Sequence, residues 1–170
     1  MLTFRKAVPD DLPGMLALVG QAQAFMATLN IDQWQDGYPS EDVLAEDIRL
    51  GRIYVYDDDG QIASITVMTE EPEPVYDTLV GSWLNDGPYL TIHRMALDDA
   101  HRHGGIASRI IRHAVDMAAE LKLRSVRADT HRGNKAMRRF LEKSGFVECG
   151  LVTYATKAGV PLRVAYERLL

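Results

Sequence analysis

Residues 89–134 read YLTIHRMALDDAHRHGGIASRIIRHAVDMAAELKLRSVRADTHRGN, and this stretch decides the fold. The apolar run Tyr89–Leu97 predicts a strand, and apolar residues at helical spacing then predict an amphipathic helix that runs to about Leu121. Ser125–Asp129 predicts a second short strand. A turn that contains two glycines, residues 101–108, joins the first strand to the helix.

This turn has the features of an anion-binding site. The first backbone N–H groups of a helix have no internal partner, and the helix dipole is positive at that end. Gly104 and Gly105 allow the backbone to approach a phosphate without a Cβ in the way. The chain has neither a Walker A loop nor the Gly-x-Gly-x-x-Gly pattern of dinucleotide-binding folds. We therefore interpret the turn as a pyrophosphate cradle of another type.

Two short patterns surround the turn. Arg102, Gly105 and Ala107 form Arg-x-x-Gly-x-Ala, which is a weak signal by itself. The triplet Met95–Leu97 has the form hydrophobic–Ala–hydrophobic and ends the strand that comes before the turn. A strand that ends in this triplet and continues into this turn is a more specific pattern than either part alone.

A third pattern lies downstream, where Asn134 precedes Gly145-Phe146 by eleven residues. In this combination the sequence resembles the GNAT superfamily of N-acetyltransferases. That family carries Arg/Gln-x-x-Gly-x-Gly/Ala at the start of a helix, a hydrophobic–Ala–hydrophobic triplet before it and an Asn…Gly-Phe spacing after it. The resemblance implies an enzyme that uses acetyl-CoA as co-substrate.

Composition limits the classes of function. The 170 residues are 46% apolar and 25% charged, which suits a single N-acetyltransferase domain over 1–170. A net charge of −5 argues against a nucleic-acid partner. The single cysteine, Cys149, excludes an internal disulfide and suits a reducing cytoplasm. No apolar run approaches the ~20 residues of a membrane span, and the first residues do not resemble a signal peptide, so we expect a cytoplasmic protein.

The first half of the chain alternates between helix and strand signals. Leu12–Leu29 has helical spacing, and Asp10-Asp11 is placed to cap that helix. A second helix is expected between a Ser40 cap and a stop at Gly51. Asp59-Gly60 between two β-rich runs predicts a hairpin.

The second half of the chain has less regular sequence patterns. Residues 70–88 are acidic and interrupted by prolines, and they are expected to be irregular. A helix is expected from Asn134 to Gly145, followed by two strands around the turn 157–159. Together, these predicted helices and strands make an α/β fold with a mixed, mostly antiparallel central sheet and helices on both faces. The resemblance implies the same element order.

The resemblance also assigns cofactor contacts. The backbone of Arg102–Ser108 would hold the pyrophosphate, unless this is only a solvated polar turn. The end of the strand would pair with the pantetheine arm and supply an oxyanion donor. Asn134 would hydrogen-bond the arm, and it also suits a plain helix N-cap. The implied cofactor-binding residues are Met95, Ala96, Leu97, Arg102, His103, Gly104, Gly105, Ile106, Ala107, Ser108 and Asn134.

Acetyl transfer to an amine also needs a proton acceptor, because an alkyl ammonium titrates near ~10.4. His93 on the central strand is our candidate for the general base. Arylalkylamine N-acetyltransferases look similar in carrying a histidine at this point. Their second histidine, two residues earlier, is Thr91 in this chain. A half-buried structural histidine is the alternative interpretation.

The general acid departs most from the family pattern. Many members place a tyrosine seven residues after the asparagine, where this chain has Leu141. A thiolate leaves without an acid, since thiol pKa values lie near ~8.5. Tyr154 would be a substitute acid, although a strand tyrosine more often serves packing.

The acceptor pocket is outlined by aromatic residues. By analogy with the family, Trp34, Tyr38 and Trp83 are expected to line it, and each is equally suited to a core. The histidines lack the spacing of metal ligands, so no metal is predicted. Expected partners are a small-molecule amine or a peptide N-terminus, with a homodimer as an option.

The sequence therefore predicts an acetyl-CoA-dependent N-acetyltransferase in which an amine attacks directly in a ternary complex. One alternative is a non-enzymatic CoA-binding sensor or regulatory module, which the missing tyrosine at Leu141 would suit. A second is an acyltransferase that uses a longer acyl-CoA. A third is a nucleotide-phosphate binder that does not use CoA.

Overall fold

The structure is a computed structural model that describes residues 1–102, 104–154 and 162–170. In chain order, its helices and strands are β1 (Leu2–Lys6), α1 (Leu12–Thr28), α2 (Glu41–Arg49), β2 (Ile53–Asp58), β3 (Gln61–Thr69), β4 (Val80–Gly81), β5 (Tyr89–Leu97), α3 (Ile106–Glu120), β6 (Ser125–His131), α4 (Lys135–Lys143), β7 (Val147–Thr153) and β8 (Leu162–Leu169).

The strands form one mixed sheet in the order β1-β2-β3-β5-β6-β8-β7-β4. The pairs β1–β2, β2–β3, β6–β8, β7–β8 and β4–β7 are antiparallel. β5 and β6 are parallel, with pairs from Tyr89↔Ser125 to Ile92↔Ala128. The predicted α/β class with a mixed, mostly antiparallel sheet is confirmed.

The chain divides into two compact units. The first unit comprises residues 1–68 and 93–110, and the second comprises residues 69–92 and 111–170. β5 and α3 each contribute residues to both units. The core of the first unit is made of aliphatic side chains and Trp34, among them Met15, Leu18, Leu44, Ile53, Val55, Ile65 and Val67. In the second unit Tyr76, Val152 and Ala165 form a smaller cluster.

Three short sequence patterns form the cap and turns that they predict. The Ser40 side chain accepts a hydrogen bond from the Val43 N–H and caps α2. In the β2–β3 hairpin Asp59 and Gly60 have φ values of 51° and 93°, as a two-residue turn between twisted strands requires. Gly145, with φ 85°, follows the end of α4.

The predicted aspartate cap of α1 is wrong. Asp11 is the N-cap residue of α1, but its carboxylate makes no capping bond. It accepts hydrogen bonds from Arg5 Nη1 and Nη2 at 2.7 and 2.8 Å, and from the Val8 N–H at 2.8 Å. A bidentate charged partner is stronger than a neutral helix N–H, so the carboxylate turns to the arginine.

One further difference concerns the second half of the chain. The stretch 70–88 was expected to be irregular, but Val80 and Gly81 form the short strand β4. Gly81 and Gly150 face each other across this pair, and a Cβ on Gly81 would lie 2.0 Å from the Cys149 carbonyl oxygen. The expected turn at residues 157–159 lies outside the described residues.

A buried carboxylate organises the second unit. Glu167 in β8 has no exposed surface. It accepts hydrogen bonds from Arg127 Nε at 2.9 Å and Asn85 Nδ2 at 2.8 Å, and also from the Ser125 hydroxyl and the Leu84 N–H. The segment before β5 is thereby attached to β6 and β8.

The cation in this network is also enclosed by rings. The Arg127 guanidinium lies 4.0 Å from the centroid of the Trp83 ring and 4.0 Å from that of Tyr89. Arg127 Nη2 donates to the Asn85 carbonyl at 2.7 Å. Ion pairing, π contact and hydrogen bonding together satisfy this buried charge.

We predict that Glu167→Ala destabilises the protein by about 3–5 kcal/mol, because it leaves the Arg127 charge buried without its counterion. Urea denaturation followed by circular dichroism measures this loss. As the control, Glu46→Ala removes the exposed ion pair of Glu46 with Arg49 and should leave the midpoint unchanged. Equal effects of the two substitutions would show that the buried network is not what holds this unit together.

Candidate active site

The turn that leads into α3 has an open backbone. Asp98 begins a short 3-10 turn, accepting a hydrogen bond from the Ala100 N–H, and its own N–H donates to the Ala63 carbonyl. Gly105 has φ 72°, and a Cβ built on it would meet no atom within 4 Å. α3 starts at the next residue, Ile106. The predicted glycine turn at a helix start is confirmed, and the backbone at Gly105 is uncovered on the side of its missing Cβ.

The His101 side chain in this turn is held by two carboxylates. Nδ1 lies 2.8 Å from Asp98 Oδ2, and Nε2 lies 3.4 Å from Asp58 Oδ2. The hydrogen bond to Asp98, assisted by Asp58, raises the pKa of His101 above its ordinary value. His101 therefore serves the local ion-pair network of the turn.

Arg102, the first residue of the sequence pattern, is also paired locally. Its Nε lies 2.7 Å from Asp99 Oδ1, and its guanidinium lies 4.3 Å from the centroid of the Phe25 ring. The N–H groups of Arg102 and Gly104 donate within the turn, so what an anion would meet here is chiefly the N-terminus of α3 and its dipole. His103 lies outside the described residues.

β5 carries the candidate base and the triplet after it. His93 is half-buried, and Ala96 is buried in the core of the first unit. The parallel ladder with β6 covers Tyr89–Ile92, so Met95–Leu97 belongs to a part of β5 outside that ladder. Arg94 lies between the ladder and the triplet and has φ 50°, which interrupts the regular pleat of the strand.

The sequence reasoning missed the environment of Arg94. Its Nη1 lies 3.2 Å from Oδ2 of Asp47, a carboxylate in α2 that has no exposed surface and whose Oδ1 accepts from Arg52 Nε at 2.7 Å. The sequence does contain a signal for this buried ion pair. Asp47 stands three residues after Leu44 and one before Ile48, which places it on the apolar face of α2. A carboxylate in that position needs a buried cation.

The segment between α1 and α2 carries two predicted acceptor-site residues. Trp34, with φ 64°, is buried in the core of the first unit. The Tyr38 ring is partly exposed, and its centroid lies 5.3 Å from the Arg94 guanidinium. The Tyr38 carbonyl accepts from Gln23 Nε2, which ties this segment to α1.

The remaining candidates belong to the second unit. Asn134 Oδ1 accepts from the Met137 N–H at 3.2 Å, so the expected helix N-cap is confirmed. Trp83 covers Arg127. The cofactor contact of Asn134 and the acceptor contact of Trp83 stay predictions.

Tyr154 lies in a buried polar cluster. Its hydroxyl donates to Asp129 Oδ1 at 3.0 Å, and the Tyr76 hydroxyl donates to the same oxygen at 3.0 Å. The Arg163 guanidinium lies 4.3 Å from the centroid of the Tyr154 ring. Burial, reinforced by the Asp129 charge, raises the pKa of Tyr154 above its ordinary value. The phenol is therefore protonated at neutral pH.

Burial raises the pKa of the Cys149 thiol, which suits an unreactive core residue. In the described parts of the chain no three His, Cys, Asp or Glu side chains converge as metal ligands. Among these same residues no helix is both long enough and apolar enough to span a bilayer.

The glycine turn at the start of α3, the mixed sheet and the triplet at the end of β5 define an acyltransferase of the GNAT type. The chain belongs to the acetyltransferase (GNAT) family, whose model matches residues 23–146. Members of this family use acetyl-CoA as co-substrate. Among proteins of curated function, no sequence is similar enough to the chain to count as a match.

Solved structures agree with this assignment. A GNAT-family acetyltransferase from Streptococcus agalactiae is 32% identical over 99% of this chain and 95% of its own, with a TM-score of 0.84. A GNAT-family acetyltransferase from Listeria monocytogenes is 20% identical over 99% and 95%, with a TM-score of 0.72. The ribosomal-protein-S18-alanine N-acetyltransferase of Escherichia coli is 16% identical over 99% and 94%, with a TM-score of 0.66. The last two show likeness of fold alone.

We predict that His101 titrates above its ordinary value of ~6.5 and that Asp98→Asn lowers its pKa. Because the pKa is raised in the folded protein, the stabilisation from His101 is complete below pH ~6.5 and is lost as pH rises through the raised pKa. NMR titration of the His101 ring measures this. Asp99→Asn, which removes the partner of Arg102, should leave the His101 titration in place. A His101 pKa unaffected by Asp98→Asn would contradict the assigned pairing.

Proposed function

We propose that this protein is an N-acetyltransferase that moves the acetyl group of acetyl-CoA directly to a primary amine within a ternary complex. The observation that carries the proposal is the turn at Gly105, where a Cβ would meet no atom within 4 Å and which leads directly into the N-terminus of α3. Membership of the GNAT family supports the same assignment.

The residues of the turn fit a pyrophosphate. The helix N-terminus favours negative charge, and the open space above Gly105 allows close approach of the backbone. We propose that the backbone of residues 102–108 holds the phosphates of acetyl-CoA and that Met95 and Leu97 bind its pantetheine arm. Asn134 would add a side-chain contact. When bound, acetyl-CoA supplies the activated acetyl group.

His93 is the proposed general base. It precedes the break in the pleat at Arg94 and is half-buried, so its imidazole is partly screened from water. In the proposed reaction the amine nitrogen forms a bond to the acetyl carbon, its proton passes to the His93 imidazole, and the carbon–sulfur bond breaks. The sulfur leaves as a thiolate, which takes up a proton afterwards.

Tyr154 is the candidate for the general acid that would protonate the thiolate. Leu141, at the position where the family pattern has a tyrosine, is buried in α4. Tyr154 is protonated at neutral pH, but its hydroxyl donates to Asp129. Protonation of the thiolate by Tyr154 would require that bond to be exchanged. We therefore expect a smaller loss of rate from Tyr154→Phe than from removal of the base.

Release of free thiol from acetyl-CoA tests the proposed function. The purified protein is mixed with acetyl-CoA and a panel of amines, with an amine-free blank. The proposal expects release that depends on the amine. Binding of acetyl-CoA without release for any amine would favour a CoA-binding sensor, which the absence of a tyrosine at Leu141 would suit. Faster release from longer acyl-CoA thioesters would favour the other acyltransferase.

We predict that Gly105→Ala raises the KM for acetyl-CoA by about tenfold or more, because its Cβ would occupy the space proposed for the pyrophosphate. Gly60→Ala is the matched control. Gly60 also has positive φ and no atom near a Cβ, so both substitutions carry a similar backbone strain. Steady-state kinetics give the KM for acetyl-CoA of both variants and so separate loss of cofactor binding from the effect of backbone strain. An equal KM for the two variants would remove the turn from the cofactor site.

We predict that His93→Ala lowers kcat by about 10²-fold or more, the usual contribution of a general base. His113→Ala, a substitution in α3, serves as the control and should retain the rate. Unchanged activity of His93→Ala would eliminate this assignment.

A further inference from the structure

Arg94 stands in a strained position beside the proposed base. It directly follows His93 in β5, and its φ of 50° lies in a region that side chains with a Cβ rarely adopt. Such a conformation is energetically costly and is found mainly where the surroundings impose it, often at functional sites.

Among the described residues, the Arg94 guanidinium has an ion pair and a ring contact, while its Nε has no hydrogen-bond partner. Nη1 lies 3.2 Å from Asp47 Oδ2, and one face of the group lies over the Tyr38 ring. Nε is buried and has no hydrogen-bond partner within residues 1–102, 104–154 and 162–170. A buried donor without an acceptor is costly, so this edge of the guanidinium is set up for an acceptor that the described chain does not provide.

The chemistry of that acceptor follows from the geometry of arginine. The Nε and Nη2 edge presents two parallel N–H donors that match the two oxygens of a carboxylate. Asp47 Oδ2 lies 3.2 Å from Nη1 as an ion pair, and the Tyr38 ring lies against one face of the group. The side chain is only 15% exposed, so a charged ligand on it would be largely shielded from water.

We propose that Arg94 binds a carboxylate on the acceptor, so that the substrate class is small amines that carry a carboxylate, such as amino acids. This inference rests on the proposed N-acetyltransferase function. The phosphates of acetyl-CoA are assigned to the turn at residues 102–108, whereas Arg94 lies outside that turn and directly follows the proposed base, His93, in the chain. The anion at Arg94 therefore belongs to the acceptor.

The test compares each common amino acid with its own carboxamide as acceptor. The two differ only in the charged group, so their ratio of kcat/KM reports recognition of the carboxylate. We expect the wild-type protein to prefer the acid by about 10- to 100-fold at its best amino acid, as hydrogen bonds to a charged group provide. Arg94→Gln should bring the acid-to-amide ratio of kcat/KM close to one, and the ratio is the readout because each amide serves as the reference for its own acid.

Arg52→Gln is the matched control. Arg52 also pairs with Asp47, so this variant disturbs the same buried carboxylate without touching the proposed donor edge. It should retain the preference for the acid. Loss of the preference in Arg52→Gln as well would mean that the cluster acts only structurally, which would overturn the role given to Arg94.

The outcomes for the inference and for the proposed function are distinct. Thiol release that is equal for acids and amides, or that occurs only with amines such as polyamines, would overturn the inference and keep the N-acetyltransferase function. Absence of release with every amine would overturn both. Because the acid-to-amide ratio is measured first on the wild-type protein, the test holds even if Arg94→Gln does not fold.

Discussion

The change of backbone conformation at Arg94 in β5 is the constraint on which the candidate site depends. Before it, Tyr89–Ile92 pairs with β6 in a regular parallel ladder. After it, Met95–Leu97 leads into the turn that begins α3. A regular strand would alternate its side chains from Tyr89 to Leu97. The left-handed residue interrupts that alternation between the proposed base and the proposed arm-binding residues.

The conformation of Arg94 is maintained from outside the strand. The fully buried Asp47 of α2 binds both Arg94 and Arg52, and Tyr38 covers the Arg94 guanidinium. A buried carboxylate is stable only with such partners, so α2 and β5 are coupled through their charges. The same principle recurs in the second unit, where Glu167 binds Arg127. In both units an ion pair fixes an irregular segment that packing alone would define less strictly.

Much of the fold was predictable because its signals are local. The Asp59-Gly60 hairpin, the Ser40 cap and the amphipathic pattern of α3 depend on residues a few positions apart. The cap at Asp11 failed because Arg5, on another element, competes for the carboxylate. β4 was missed because a two-residue strand has no period to detect, and its position depends on the close approach of Gly81 to Gly150.

The candidate site was predictable only in part, for a similar reason. The glycine turn and the triplet before it are consecutive in the chain and carry a recognisable pattern. The role of Arg94 depends on a positive φ that its residue type does not suggest, and on Asp47, which lies far away in sequence. His101 and Arg102 are cations in a turn that favours anions, yet nearby aspartates bind both. Charge counted along the sequence does not reveal this pairing.

Direct transfer of the acetyl group to an amine is the central claim, and mass spectrometry tests it most directly. The protein is mixed with acetyl-CoA labelled in its acetyl group, and the masses of the acceptor amine and of the intact protein are measured through the first turnovers. We expect label on the amine nitrogen as an amide and an unchanged mass of the protein. Label on the protein ahead of the amine, at Cys149 or elsewhere, or an amine that never acquires the label, would rule out direct transfer.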